Sequence, residues 1–292
     1  MGLDINGVKL LLHARQFDVD FKRVITIGRQ MLYVKQHELK RMSMQAGLSE
    51  LSGEEGPGPG SYAESFLKLM GAEITDSLDA SEYEQATIIH DLNQPLPADL
   101  HAKYSLVIDG GSLEHVFNFP AAVKNCMDLL EEKGCYIGIT PANNFLGHGF
   151  YQFSPELYFR VFSPDNGFRV LRMYLYADRK KNASFYEVRD PLELRQRVIM
   201  ANASPSYLFV LAQKTEKRDV FKITPQQSDY EHMVWTGETG ENVAKGKRKV
   251  SLPAKVFRLL TDQWRRKFRP MGNSNPKSVR KIKLDLSGKQ GS

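Results

Sequence analysis

The sequence predicts an α/β fold in which a mostly parallel sheet carries helices on both faces. Three observations point there. Short apolar runs rich in β-branched residues, Arg23–Gly28 and Tyr104–Ile108, are bounded by charged residues and glycine, as strands buried on both faces are. A helix-length segment, Pro120–Leu130, leads from the second run through Glu131-Glu132-Lys133-Gly134 into a third, Cys135–Thr140. Polar and acidic residues then gather where the runs stop: Asp109, Gly110, Gly111, Glu114 and His115 after one, Asn143 to Gln152 after another. In an open α/β sheet, ligands bind beyond the carboxyl ends of the strands.

Composition limits the partners. The net charge of +6 is unevenly spread: residues 241–292 hold 15 Lys and Arg against three acids, so the preceding body is net acidic. That acidity argues against a nucleic-acid substrate, which calls for a basic face beside the site. No run approaches the about 20 apolar residues of a membrane span, and the amino terminus reads as no export signal. The expected location is cytoplasmic, either free or peripheral at the inner membrane surface. Cys126 and Cys135 are expected to be reduced, packed thiols, and no zinc-ligand spacing occurs, so no metal site is expected.

In chain order, residues 5–17 read as a helix, with Val8, Leu11 and Leu12 at helical spacing, within an amino-terminal segment 1–22. The strand Arg23–Gly28 ends in the turn Gly28-Arg29-Gln30. Helix is expected over Gln30–Gly47, a glycine- and proline-rich loop over Ser52–Ser61 and a further helix over Tyr62–Met70, which makes 31–71 a long insertion between strands. Ala72–Leu78 is the next strand, followed by Asp79-Ala80-Ser81; Asp76 is the rival strand-end acid if the strand is shorter, and Asp79 or Ser81 could equally cap a helix. Thr87–His90 is a third strand, ahead of Asp91-Leu92-Asn93. Ser154-Pro155-Glu156 is a helix start, opening a helix to Phe162. Phe168–Tyr176 and Tyr207–Gln213 close the sheet around a charged insertion, 178–204, with a helix expected over Pro191–Met200.

Past residue 215 lies a basic extension, 216–292. Phe257, Leu260, Trp264 and Phe268 share one face of a basic helix expected over 253–268, suited either to an anionic membrane surface or to docking on the core or an acidic partner. Disorder is expected beyond Pro270.

Tyr104–Ile108, Asp109, a small-residue turn and Leu113-Glu114-His115-Val116 resemble the fourth-strand motif of class I methyltransferases that use S-adenosylmethionine, and the following helix, glycine turn and strand resemble that family's passage into strand five. The resemblance spans about Val24 to Lys214 and implies a Rossmann-like seven-stranded sheet with the last strand antiparallel. It implies S-adenosyl-L-methionine as cofactor, with Gly28 and Arg29 at its amino-acid end, Asp79 and Ser81 at the ribose, Asp91 and Leu92 at the adenine, and Asp109 and Gly110 along the same edge. One glycine stands where the family has a glycine-rich turn.

The activity expected is methylation of a hydroxyl of a small molecule or glycan. His115 and His148 are the candidate bases, because imidazole titrates near neutrality, with Glu114 to orient either. His115 could equally be a packing residue, and His148 a turn residue between glycines. Asn143, Asn144, Tyr151 and Gln152 are expected to meet a polyhydroxylated acceptor. The competing expectation is a binding or scaffold protein that kept the fold and lost the cofactor, motivated by Arg29 and Gln30.

Overall fold

The computed structural model describes residues 2–48, 59–177, 183–200, 202–230 and 278–287. The apolar runs become parallel strands: β1 (Arg23–Ile27), β2 (Ile74–Asp79), β3 (Ile88–Ile89), β4 (Tyr104–Asp109) and β5 (Leu130–Asn143). In space they stand in the order β3, β2, β1, β4, β5. Side chains alternate across a strand, so each run feeds two cores. Val24, Leu106, Ile108 and Ile137 face one; Ile25, Ile27, Val107 and Tyr136 face the other.

Helices cover both cores. On the first face lie α1 (Ile5–Ala14), α2 (Gln36–Gln45) and α3 (Glu64–Leu69), and on the second α4 (Phe119–Leu129) and α5 (Pro155–Val161). Their starts are written locally. Asp4 accepts from the amides of Asn6 and Gly7 ahead of α1, and Ser154 accepts from Leu157 N ahead of α5, with Pro155 in the first turn. The α1 side chains are buried nearly all round, so the amino-terminal segment is part of the domain and no separate unit.

Among the described residues, four further strands extend it to a nine-stranded sheet: β6 (Phe168–Ala177), β7 (Phe185–Val188), β8 (Ser206–Lys214) and β9 (Val279–Ile282). Strand β8 lies between β5 and β6, antiparallel to both. The seven-strand core therefore runs β3-β2-β1-β4-β5-β8-β6, with the late strand antiparallel as expected. Strands β7 and β9 extend it antiparallel beyond β6.

Several boundaries differ from the sequence reading, each for a tertiary reason. Met31–Leu32 pairs with Gly2–Leu3 in a small parallel sheet, which delays the helix expected from Gln30 until Gln36. The 178–204 insertion contributes β7 and only a short helix, α6 (Pro191–Leu194), stopped by Arg195 at φ 50°. Disorder beyond Pro270 does not hold for 278–287: β9 pairs with β7, and Ile282, Leu284 and Leu286 pack on the first core. The expected basic helix 253–268 lies outside the described residues, as does most of the Ser52–Ser61 loop. Cys126 and Cys135 are buried free thiols, and burial raises both.

Candidate functional site

Register places the strand ends on one edge. Ile27 pairs with both Leu78 and Asp109, and Asp79 pairs with Ile89, so Gly28, Asp79, Asp91 and Gly110 all follow the carboxyl ends of adjacent strands. From β1 the chain proceeds outward to β2 and β3, and from β4 in the other direction to β5. The crevice between β1 and β4 is the topological switch point, where α/β sheets take ligands.

Gly28 opens the turn at φ 66°, a left-handed conformation that favours glycine. Arg29 leaves the turn: its Nε donates to Glu64 Oε1 (2.7 Å), its Nη1 to Glu84 O (3.0 Å), and its guanidinium stacks 3.7 Å over the Tyr62 ring. Its donors thus tie α3 to the loop after β2. Gln30 instead fills the floor of the crevice, buried, with Nε2 donating to Ile27 O (2.7 Å) and Gly28 O (3.3 Å). A Cβ on Gly110 would stand 2.3 Å from Gln30 Oε1, so a larger residue at 110 would displace the Gln30 amide. That Oε1 is buried without a partner among the described residues.

Three acids were expected along this edge, and the structure separates them. Asp79 ends β2 half-buried and accepts from Ser81 N (3.0 Å). Asp91 is exposed and accepts from Asn93 N (2.9 Å) and Nδ2 (2.7 Å), bonds that hold its carboxyl below the usual range. Leu92 beside it is buried in the second core. The rival Asp76 lies inside β2, accepting from Tyr104 Oη (2.9 Å), which leaves Asp79 as the strand-end acid.

Asp109 corrects the expectation that it lines the crevice. It is fully buried, taking Ser112 N (2.8 Å), Leu113 N (3.4 Å) and Tyr136 Oη (3.2 Å), and burial raises its pKa. Its work is to fold the turn Gly110–Leu113, in which Gly111 takes φ 93°.

That turn delivers Glu114 and His115 to a cavity of about 480 Å³, lined also by Gly110, Gly111, His148 and Tyr33. Glu114 is 1% exposed; burial, then the nearby Asp109, pushes its carboxyl up to about 8, and Oε2 has no partner among the described residues. His148 Nε2 stands 3.4 Å from Glu114 Oε1, and its ring meets that of His115 edge-on at 4.8 Å between centroids. The three candidate catalytic residues are therefore brought together. His115 and His148 stand 33 residues apart in the chain, and the expectation that two strand-end clusters share one crevice anticipates their meeting.

The loop 143–152 makes the meeting possible. Phe150 N donates to Glu114 O (2.7 Å), and Gly149, at φ 67°, passes so close that a Cβ there would lie 2.7 Å from the same oxygen. The four residues expected to touch substrate hold this loop instead. Asn143 Nδ2 donates to Asn202 Oδ1 (2.9 Å), Asn144 Nδ2 to Ser204 O (2.9 Å), Gln152 Oε1 accepts from Phe145 N (2.8 Å), and Tyr151 Oη donates to Phe117 O (2.6 Å). Asn144 also adopts φ 61°, which asparagine tolerates better than most residues. Sequence reasoning missed Asp4, Tyr33 and Tyr207, which line the cavity; they arrive through the Gly2–Leu3 pairing and β8, and nothing local marks them.

No protein-family model matches the chain. No curated protein matches its sequence. Among solved structures it resembles a putative methyltransferase of Bacillus halodurans (9% identity, 74% of this chain and 100% of that one, TM-score 0.40). It also resembles a putative sarcosine dimethylglycine methyltransferase of Galdieria sulphuraria (11% identity, 72% and 86%, TM-score 0.41). A third is the 1,6-didemethyltoxoflavin-N1-methyltransferase of Burkholderia thailandensis, solved with its substrate and S-adenosylhomocysteine (12% identity, 73% and 78%, TM-score 0.39). The strand order itself, parallel strands with one late antiparallel strand inserted, makes this a Rossmann-like sheet.

The strand-end edge carries hydrogen-bond acceptors at both ends. Asp79 and Asp91 each have a second carboxylate oxygen outside the bonds described, an acceptor for ribose hydroxyls or an adenine amine. At the other end, the orphaned Gln30 Oε1 is an acceptor that an ammonium group would satisfy.

Proposed function

We propose that the chain is an S-adenosylmethionine-dependent methyltransferase acting on a hydroxyl of a small molecule or glycan. The observation that carries this is the juxtaposition across Gly110: nucleoside-type acceptors, Asp79 and Asp91, on one side, and the Glu114–His115–His148 trio on the other. When bound, the cofactor supplies an electrophilic methyl group. Asp79 and Asp91 hold its nucleoside, and Gln30 Oε1 its amino-acid end. The trio holds the acceptor hydroxyl and promotes loss of its proton, with Glu114 orienting His148. Burial and the neighbouring His148 lower His115, which keeps that imidazole neutral at pH 7. Phe117 and Phe150, 73% and 65% exposed and in edge contact at 5.7 Å, stand two residues past His115 and His148 and offer an apolar face to the ring of an acceptor.

Methyl-labelled S-adenosylmethionine offered with a panel of hydroxylated sugars and aromatics tests the reading. Label should enter an acceptor with wild type. With His148→Ala the transfer should fall by about 10²-fold or more while S-adenosylhomocysteine affinity holds. A second reading, a scaffold that kept the fold, is favoured by one observation: Gln30 occupies the gap between Gly28 and Gly110. Failure to bind S-adenosylhomocysteine would establish it.

A further inference from the structure

We propose that Glu114, His115 and His148 form a binding site for one divalent transition-metal ion, with Zn²⁺ the best match. The three offer one carboxylate oxygen and two imidazole nitrogens, and these donor atoms all lie within 4.8 Å of one another. In a tetrahedral site with bonds near 2.1 Å, ligand atoms are about 3.4 Å apart. His148 Nε2 and Glu114 Oε1 already stand at 3.4 Å. The two histidines are exposed at the mouth of the cavity, so rotation of their rings closes the remaining distance.

A second observation points to a cation independently of the spacing. Glu114 is 1% exposed, yet its Oε2 meets no hydrogen-bond donor among the described residues. A buried carboxyl oxygen without a donor is costly, and a cation at the trio supplies the missing partner. Two imidazoles with one carboxylate favour borderline first-row ions over Mg²⁺ and Ca²⁺, which prefer oxygen-only shells.

The protein donates three ligands, which leaves at least one position open toward the cavity, the arrangement of catalytic rather than structural zinc. An acceptor hydroxyl bound there loses its proton to water at the mouth. Its oxygen then forms the new bond to the methyl carbon, and the carbon–sulfur bond breaks with its electron pair moving to sulfur. This role rests on the proposed methyl transfer. The binding of the ion does not.

The test uses the full chain, freed of metal by chelator. Zn²⁺ is titrated by calorimetry, Co²⁺ by its visible absorption, and Mg²⁺ serves as comparison. One Zn²⁺ or Co²⁺ per chain is expected, with Mg²⁺ much weaker. His148→Ala and the isosteric Glu114→Gln should each weaken Zn²⁺ at least about tenfold, with unchanged circular dichroism. Should either variant fail to fold, the other decides. No saturable Zn²⁺ binding, or equal affinity in the folded variants, overturns the proposal. S-adenosylhomocysteine binding is measured on the same sample: metal without nucleoside supports the ion site and removes the transferase, and nucleoside without metal does the reverse.

Discussion

Asp109 and Gly149 carry the site without touching a ligand. Asp109 gathers two backbone amides and the Tyr136 hydroxyl, and through them sets the turn that presents Glu114. Replacing it with alanine leaves those donors buried and unpaired, so Asp109→Ala should cost about 2–4 kcal/mol in urea unfolding, at the high end for a single residue. Gly149→Ala acts differently. It puts a side chain at φ 67°, against Glu114 O, and should cost about 1–2 kcal/mol while moving His148 away from Glu114. Activity should then fall more than stability alone explains. Gln30 makes the sharpest residue-scale prediction: Gln30→Leu removes the orphaned acceptor and should weaken S-adenosylhomocysteine about tenfold or more by calorimetry. Unchanged affinity would show that the amide only plugs the floor. At this scale the sequence was legible where a side chain's chemistry is its role, as for Glu114 and the two histidines. It was ambiguous where polar side chains tie the loop to neighbouring chain, as Asn143, Asn144 and Gln152 do, because a loop tie and a substrate contact call for the same residue types.

Among elements, the strands were the most legible, because β1, β4 and the Cys135–Thr140 part of β5 are apolar runs with local end signals, although β5 begins earlier, at Leu130. The edge strand β9 was not. Its apolar residues, Val279 and Ile282 with Leu284 and Leu286 just beyond it, are few and set in a polar tail; the open edge of β7 gives it a partner. The segment after it runs back over α1: His13 Nδ1 bonds Asp285 O (2.9 Å), and His13 Nε2 meets Tyr174 Oη (3.1 Å). Burial lowers His13 from its ordinary value near 6.5. A histidine harder to protonate when folded contributes stability above its unfolded pKa, and that contribution is lost as pH falls through the folded value. The melting temperature should therefore drop on acidification below about 6.5, and His13→Gln should flatten that drop. A wild-type profile matching the variant's would exclude His13 as the cause. Ending the chain at residue 277 removes β9 altogether and should lower the melting temperature, read by differential scanning fluorimetry.

For the whole molecule, strand order decides where chemistry occurs. Placing β1 beside β4, with the chain diverging from them, opens one crevice. The same topology sets Asp79 and Asp91 on the β2 and β3 side and the Glu-His-His trio on the β4 and β5 side. The sequence implied this edge through its resemblance, but the amino-terminal Gly2–Leu3 strand that helps to roof the cavity follows from packing alone. The proposed transfer requires the crevice to admit an adenosyl group although Gln30 fills its floor. Calorimetric titration of S-adenosylhomocysteine into the purified full chain tests it most directly. The account predicts saturable 1:1 binding in the micromolar range, weakened about tenfold or more by Asp79→Ala; no heat at about 1 mM ligand would contradict it.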